Sequence, residues 1–256
     1  MKILILKTIK KLLGIKKARK LYGFLAKSVL RDNQIRHYEP SIIYSKEGVT
    51  TTPKLIELVA DSAKIASNLE LSCGKEDLPD SHFLNVFPGE HYRLLNAIVQ
   101  VSGAKKIVEI GTYTGMGSLA LKAGFNDVNV TTFDIFEWNK LGLPSHFDKS
   151  DFSDNLKQII GDLSETSVFE KHLKILNEAD LIFMDAPKND KFEYTMATKF
   201  AKLECKDNKL LILDDIQFVN MIDFWRSIKS PKVDASAFGH FSGTGIVDIS
   251  NGFKFR

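Results

Sequence analysis

The sequence contains little cysteine, with Cys73 and Cys205 as its two thiols in 256 residues. Two cysteines far apart in the chain indicate neither a disulfide framework nor a zinc site, so a reducing, cytosolic setting is expected. The chain also has no uninterrupted apolar run close to the ~18 residues that a membrane-spanning helix needs. Internal repeats and low-complexity segments are absent as well. What remains is 44% hydrophobic residues, enough to bury one large core.

Acidic residues are absent from the first 31 positions, which carry ten lysines and arginines. The whole chain has a formal net charge of +3, so the remainder has a net charge of −7, from 25 basic and 32 acidic residues. A surface that follows a phosphate backbone should be basic. The acidic balance of the body therefore argues against a nucleic-acid partner.

The basic arm, residues 1–31, has apolar residues at roughly helical spacing, with lysines on much of the opposite face. This pattern predicts one or two basic amphipathic helices, interrupted near Gly14 or Gly23. Such a helix can lie on an anionic membrane surface, or it can pack its apolar stripe against the body or a second subunit. The short apolar run Ile3–Leu6 and the lack of a small-residue cleavage site disfavour a secretory signal. We expect a cytoplasmic protein, with peripheral attachment at the inner membrane face and a homodimer as open alternatives.

From Lys105 onward, apolar runs alternate with helical patterns, as in βαβ units. We predict strands at 106–110, 128–134, 157–160, 180–185 and 209–214, with helices near 164–177, 190–204 and 217–228. Two further helices, at 53–69 and 90–102, precede them and flank an irregular segment. The tail from Gly245 to Phe255 is predicted to form a hairpin or paired edge strands. Residues 105–256 are thus expected to form an α/β domain with a doubly wound, mostly parallel sheet, after a helical and irregular extension at 32–104.

Acidic residues and glycines lie where the first three predicted strands end, the edge at which open α/β sheets bind ligands. The first strand carries Glu109 and runs into the glycine-rich turn 111–117, which opens a helix whose N-terminal N–H groups can face a ligand. The second strand ends at Asp134, where a carboxylate can accept hydrogen bonds from ribose hydroxyls. Asp162 follows the third strand. Each acid taken singly is equally well a helix N-cap, but three in this order predict a nucleoside-binding site.

Three more carboxylates follow the last two predicted strands. Asp185 ends the fourth strand, and Asp214 and Asp215 end the fifth. Because unpaired acids that crowd together repel one another, a cation is their natural partner, and all-oxygen ligation favours Mg²⁺, Ca²⁺ or Mn²⁺ over zinc. The alternative is that Asp180, Asp214 and Asp215 are solvated caps or pair with Lys188.

The turn has the glycine order G-x-x-x-G-x-G, with Glu109 two residues before its first glycine. It resembles the first motif of class I S-adenosylmethionine-dependent methyltransferases and differs from the G-x-G-x-x-G of dinucleotide-binding folds. From about Phe87 to Asp215 the chain resembles the metal-dependent catechol and caffeoyl-CoA O-methyltransferases and related bacterial enzymes. Those families carry an E-I-G-x-x-T/C-G turn, a fourth strand ending D-A-D-K and a fifth ending D-N. The resemblance implies a seven-stranded, Rossmann-like methyltransferase sheet.

The resemblance also implies roles for individual residues. It assigns S-adenosylmethionine to Glu109, Gly111, Thr112, Tyr113, Gly115, Ser118, Asp134, Asp162 and Asp185, and it assigns Mg²⁺ or another divalent cation to Asp185, Asp214 and Asp215. Lys188 matches a lysine that acts as general base or orienting cation. Two positions depart from the pattern: Pro187 replaces the second acid of D-A-D-K, and Gly117 replaces a serine that usually meets the cofactor carboxylate, with Ser118 one step later.

One histidine is a candidate independently of the resemblance. His240 lies in a segment with glycines at 239, 243 and 245, which suggests a bend near the strand ends. There the imidazole can contact substrate or serve as an alternative base. A structural role is the competing interpretation.

The predicted reaction is in-line transfer of the sulfonium methyl group to a hydroxyl oxygen of a small-molecule or sugar-containing acceptor. A vicinal diol or catechol chelates a divalent cation well, which favours a sugar or phenolic diol. Two alternatives stay open: a metal-independent methyltransferase with Lys188 or His240 as base, and a non-catalytic, membrane-docked binding protein. A nicotinamide-dependent oxidoreductase is disfavoured by the glycine order and by the lack of a Tyr-x-x-x-Lys pair. The sequence does not identify the acceptor, because acceptor loops vary freely on one fold.

Overall fold

The structure, a computed structural model, describes residues 51–256 except 73, 74, 76, 79 and 190. The predicted basic arm, residues 1–31, lies outside the described residues, and so does the first part of the predicted extension, residues 32–50. Within the described part of the chain, none of the helices combines the length and apolar composition needed to span a bilayer.

Seven strands form one sheet in the order β3-β2-β1-β4-β5-β7-β6. The strands are β1 (Lys106–Ile110), β2 (Asn129–Asp134), β3 (Leu156–Ile160), β4 (Leu181–Met184), β5 (Leu210–Asp214), β6 (Lys232–Asp234) and β7 (Thr244–Asp248). The first five strands are parallel, and β7 runs antiparallel to both β5 and β6. The predicted seven-stranded, doubly wound methyltransferase sheet is confirmed. Its strand order reverses at β1, which is where open sheets of this kind form a ligand crevice.

Seven α-helices surround the sheet in the described part of the chain. They are α1 (Pro53–Ala66), α2 (His91–Ser102), α3 (Met116–Lys122), α4 (Thr166–Lys171), α5 (Leu173–Glu178), α6 (Lys191–Phe200) and α7 (Val219–Ser227), with single 3₁₀ turns at Ser81–Leu84 and Lys149–Asp151. The start of α1 is encoded locally: Pro53 occupies its first turn, and the Thr52 hydroxyl accepts a hydrogen bond from the Leu55 N–H at 3.2 Å.

The central strands are apolar on both faces because helices cover both sides of the sheet. Every residue of β4 and β5 is buried. Along β5, Leu211 and Leu213 join a core built with α4–α7, whereas Leu210 and Ile212 join a second core built with α1–α3. Strand alternation therefore divides one continuous apolar run between two layers, as expected of a doubly covered parallel sheet.

The C-terminal prediction needs a correction. The hairpin does not lie within the tail: β7 pairs with the upstream strand β6 on one side and with β5 on the other. Both edges of β7 are thus occupied by β5 and β6, so residues 249–255 do not pair with it. The tail makes one isolated bridge, between Phe255 and Ile228, and buries Phe253 in the core. The helix predicted near 164–177 is also divided in two, at His172.

Candidate active site

The glycine-rich turn after β1 is held against the end of β4 by close backbone contact. Gly111 has a φ of +103°, and a Cβ at this position would overlap the carbonyl oxygen of Asp185. Its N–H donates to the Phe133 carbonyl at 2.8 Å, and the Asp185 N–H donates to the Ile110 carbonyl at 2.9 Å. Only glycine fits this position, because both the backbone conformation and the available space exclude a side chain.

Asp134, at the end of β2, fastens its strand to that turn. One carboxylate oxygen accepts hydrogen bonds from the backbone N–H groups of Thr112, at 2.9 Å, and Tyr113, at 3.0 Å. The other oxygen accepts from the Phe136 N–H at 3.0 Å. A carboxylate has about four lone-pair sites, so Asp134 retains capacity for a ligand hydroxyl while it orders the turn.

Glu109 is placed beneath the turn and not in the crevice. Its carboxyl is fully buried, accepts a hydrogen bond from the Ser118 hydroxyl, and lies where a side chain at Gly117 would otherwise stand. Burial raises the pKa of Glu109 to about 8, although the hydrogen bonds from Ser118 and Thr132 act in the opposite direction. The structure thus gives Glu109 and Ser118 a shared role, joining β1 to the first turn of α3.

Two other predicted cofactor residues also support the turn from within. The Thr112 hydroxyl is buried and lies 2.7 Å from the Thr132 hydroxyl. Gly115 has a φ of +97°, and a Cβ there would lie 2.7 Å from the Phe147 ring. Gly115 is therefore required by packing, independently of any ligand.

A cavity of about 510 Å³ opens at the carboxyl ends of β1, β2, β3 and β4. Five predicted cofactor residues line it: Gly111, Tyr113, Asp134, Asp162 and Asp185. The Asp162 carboxylate also accepts a hydrogen bond from the Ser164 N–H at 2.7 Å. The cavity also has an apolar wall that was not predicted, to which Ile135, Phe136, Leu141 and Phe192 belong. Part of it could have been recognised in the sequence, because Ile135 and Phe136 are two large apolar residues directly after the acid that ends β2. Both are exposed in the fold.

Lys188 lies inside the acidic cluster that follows β4 and β5. Its ammonium makes an ion pair with Asp185 and lies 3.1 Å from a carboxylate oxygen of Asp215. Burial alone would lower the pKa of Lys188, but the surrounding carboxylates of Asp185, Asp215 and Asp214 raise it above its ordinary value. An ammonium with a raised pKa is a poor proton acceptor, so this arrangement favours the predicted role of an orienting cation over that of a general base.

Asp214 is the most deeply placed acid of the cluster. It is 4% exposed, and among the described residues its Oδ1 atom has no hydrogen-bond partner. Burial raises the pKa of Asp214 well above its usual range, and the neighbouring Asp185 and Asp215 raise it further. Asp215 follows with a φ of +61°, a conformation that Asp and Asn tolerate better than most residues.

His240 enters the same cluster from the loop before β7. Its Nδ1 atom lies 3.9 Å from Asp214 Oδ1 and 3.8 Å from Asp215 Oδ1, and it shares a hydrogen bond with the Ser242 hydroxyl. Burial lowers the pKa of His240, against the opposing effect of Asp215. The described residues that could share a metal ion are Asp214, Asp215 and His240, so the structure differs from the predicted trio by having His240 in place of Asp185.

His240 belongs to a group of four aromatic rings in mutual contact, and it was the only one of the four with a predicted role at the acidic cluster. His91 contacts His240, with ring centroids 4.4 Å apart, and Phe87 contacts Phe241 at 5.4 Å. Burial and the neighbouring His240 lower the pKa of His91 to about 3. Phe87 and Phe241 are 65% and 61% exposed, so the two contacting rings form an apolar patch at the surface.

Comparison with known proteins adds three observations. The profile of the O-methyltransferase family matches residues 75–219, more than half of the chain. A search of curated proteins found no match.

Three of the similar solved structures are methyltransferases. Methyltransferase PaMTH1 of Podospora anserina, solved with S-adenosylhomocysteine, is 16% identical over 78% of this chain and 88% of its own, with a TM-score of 0.45. An O-methyltransferase of Bacillus cereus, also solved with S-adenosylhomocysteine, is 17% identical over 75% and 89%, with a TM-score of 0.43. TomG of Streptomyces achromogenes, an O-methyltransferase solved with S-adenosylmethionine, is 16% identical over 74% and 87%, with a TM-score of 0.42.

Proposed function

Because the chain belongs to the O-methyltransferase family, we propose that it methylates a hydroxyl of a small-molecule or sugar-containing acceptor, with assistance from a divalent cation. The predicted enzyme class, an S-adenosylmethionine-dependent methyltransferase, is confirmed by this membership. The proposal goes further by assigning the two substrates to two neighbouring parts of the site.

The cavity at the ends of β1–β4 is the observation that carries the cofactor assignment. Its volume, about 510 Å³, suits one small ligand, and Asp134 and Asp162 supply carboxylates at its polar wall. Asp134 would accept hydrogen bonds from the ribose, while the apolar wall at Phe136 and Leu141 would cover the adenine. Asp185, between this cavity and the acidic cluster, marks the side on which the sulfonium methyl group would meet the acceptor.

When bound in the cavity, S-adenosylmethionine would supply an activated methyl group for in-line transfer to the acceptor oxygen, with the sulfur keeping the electron pair of the broken S–CH₃ bond. The hydroxyl proton of the acceptor would pass to solvent or to a nearby base. The protein's task is to align the oxygen and to exclude water. The exposed rings of Phe87 and Phe241 would shield the acceptor, and the Lys188 ammonium would orient its oxygen.

The acidic cluster fits a divalent cation. Asp214 and Asp215 offer oxygen atoms next to each other, and the buried Asp214 Oδ1 has no hydrogen-bond donor among the described residues. A cation bound there would lower the pKa of an acceptor hydroxyl. These two aspartates would hold the ion, and the predicted third ligand, Asp185, is engaged by Lys188.

A metal-independent methyltransferase is the second candidate, and one observation favours it. The Lys188 ammonium bridges Asp185 and Asp215, so part of the negative charge in the cluster is already balanced by the chain itself. In that case Lys188 would orient the acceptor oxygen and His240, with its lowered pKa, would be the better proton acceptor.

The cofactor assignment predicts the behaviour of Asp134→Asn. The amide oxygen can still accept from the turn N–H groups, but the loss of the charge weakens the bonds to a ribose. Affinity for S-adenosylhomocysteine, measured by isothermal titration calorimetry, should fall by about 1–3 kcal/mol, the scale of hydrogen bonds to charged groups.

The matched control is Asp127→Asn, which removes an exposed carboxylate paired with Lys105, outside the residues that line the cavity. This variant should bind S-adenosylhomocysteine as tightly as the native protein. Unchanged affinity in a folded Asp134→Asn protein, or tight binding of NAD by the native chain, would contradict the cofactor assignment.

A further inference from the structure

The loop before β7 brings an imidazole to the end of β5. In the sheet register Asp214 is opposite Thr244, so the residues just before Thr244 lie at the carboxyl end of β5. As a result, ligand atoms of Asp214, Asp215 and His240 all lie within 4.8 Å of one another. Two ligands that are each about 2.0–2.2 Å from one ion lie at most about 4.4 Å apart. The distances of 3.9 Å and 3.8 Å from His240 Nδ1 to the two carboxylates are inside this limit.

A buried acceptor oxygen independently points to a ligand at this position. Asp214 is 4% exposed, and its Oδ1 atom has no hydrogen-bond donor among the described residues. This oxygen is also the one that faces His240 Nδ1. A buried carboxylate oxygen without a donor is costly, and coordination to a cation removes that cost.

Asp185 and His240 differ in their availability as the third ligand. Asp185 makes an ion pair with Lys188, which lies three residues along the chain and also contacts Asp215. His240 Nδ1 shares a hydrogen bond with the neutral Ser242 hydroxyl, a weaker partner that an ion can replace. His240 is therefore the more accessible donor to an ion that binds Asp214.

We propose that Asp214, Asp215 and His240 form a mixed oxygen–nitrogen metal site that prefers a first-row transition metal such as Mn²⁺ to Mg²⁺. Imidazole nitrogen is a ligand of transition metals, whereas Mg²⁺ takes oxygen ligands almost exclusively. The inference rests on the proposed function and refines its metal, because replacement of an oxygen ligand by nitrogen changes which ions the acidic cluster selects.

The test uses the full chain after removal of metals by chelation. Isothermal titration calorimetry should show tighter binding of Mn²⁺ than of Mg²⁺, and electron spin echo modulation of bound Mn²⁺ should show coupling to a directly bound ¹⁴N. His240→Gln should abolish that coupling and weaken Mn²⁺ binding by roughly tenfold or more. Loss of a group that merely orients a metal ligand already lowers metal affinity by about 10–100-fold. His82→Gln, which removes an exposed imidazole outside the site, should change neither signal.

A second variant keeps the test independent of folding defects. His240→Asp supplies a third oxygen ligand in place of the imidazole nitrogen, so this variant should bind metal with its preference shifted toward Mg²⁺. Failure of the native protein to bind Mn²⁺, or bound Mn²⁺ without nitrogen coupling, would overturn the proposal. S-adenosylhomocysteine binding, measured on the same samples, separates the outcomes: a protein that binds this ligand but no Mn²⁺ refutes the metal site and leaves the methyltransferase proposal standing.

Discussion

The two halves of the candidate site satisfy their carboxylates in different ways. The cofactor half consists of Gly111, Tyr113, Asp134 and Asp162, and the acidic half consists of Asp185, Lys188, Asp214, Asp215 and His240. In the cofactor half, Asp134 accepts three backbone N–H groups at 2.9–3.0 Å. In the acidic half, one ammonium contacts two carboxylates, and the buried Asp214 Oδ1 has no hydrogen bond within the described residues.

In the cofactor half, Asp134 therefore has hydrogen-bond donors without any ligand, whereas in the acidic half Asp214 Oδ1 has none among the described residues. Backbone donors fix the position of Asp134 before any cofactor arrives, so little reorganisation is needed on binding. In the acidic half, burial and then repulsion from Asp185 and Asp215 raise the pKa of Asp214, and a bound cation would relieve that repulsion. We therefore expect changes in the cofactor half to act on folding and cofactor binding, and changes in the acidic half to act on ion binding.

Gly111→Ala should cause the largest loss of unfolding free energy at any single pH. The new Cβ would overlap the Asp185 carbonyl oxygen, and alanine strains a backbone with φ +103°. Strain together with a backbone clash should cost at least about 3 kcal/mol of unfolding free energy, which corresponds to a Tm lower by about 6–12 °C in a domain of this size. Differential scanning calorimetry measures the change, and S-adenosylhomocysteine binding should be lost with it.

Gly124→Ala is the matched control for Gly111→Ala. Gly124 has a φ of +79°, but no atom lies within 4 Å of a Cβ built there, so only backbone strain remains, about 1–2 kcal/mol. Equal losses in the two variants would show that strain alone matters. The close contact between the turn and β4 would then not be what stabilises the cofactor half.

The sequence was sufficient to predict the framework of both halves. Strands β1–β5 differ from their predicted bounds by at most one residue at each end, because continuous apolar runs closed by acids and glycines identify buried parallel strands well. Gly111 and Asp134 were identified for the same reason. Their roles follow from local backbone geometry, which is encoded within a few residues of each.

Side-chain direction and long-range pairing were harder to predict. Glu109 alternates with Val108 and Ile110, so it faces α3 together with Ile107 and meets Ser118 there. Motif spacing alone carries no information on which face of the sheet a strand-end acid takes. His240 was predicted near the strand ends, but its approach to Asp214 depends on the pairing of β7 with β5, which the prediction for the tail did not include.

Glu109→Gln tests the buried link between β1 and α3 through the pH dependence of stability. The pKa of Glu109 is about 8 in the folded protein and 4.5 as its ordinary value, so the native protein must keep a proton that the unfolded chain releases. Native stability therefore falls as pH rises from about 4.5 toward 8, on a scale of 1.36 kcal/mol per pKa unit. Glutamine cannot ionise, so the variant should gain about 3–4 kcal/mol relative to the native protein between pH 5 and pH 8.

Urea unfolding at the two pH values measures this gain. Glu57→Gln, at an exposed position on α1, is the control and should show no such dependence on pH. A difference between native and Glu109→Gln proteins that stays constant from pH 5 to pH 8 would mean that Glu109 titrates normally. The carboxyl beneath the turn would then be ionised at pH 7, and a buried charge would lie between β1 and α3.

Lys188→Met should have the smallest effect on stability and the clearest effect on the binding of divalent cations. The ion pairs of Lys188 are only partly buried, so their loss should cost roughly 1 kcal/mol of unfolding free energy without metal. Removal of the ammonium also leaves Asp185 and Asp215 without their internal cation, so added Mn²⁺ should stabilise the variant more than it stabilises the native protein.

Lys191→Met, at an exposed position on α6, should respond to Mn²⁺ as the native protein does. Thermal shifts with and without Mn²⁺ measure both effects. If Mn²⁺ raises the Tm of the Lys188 variant and the native protein equally, the ammonium and the ion do not compete for the same carboxylates, and the acidic half is not short of positive charge.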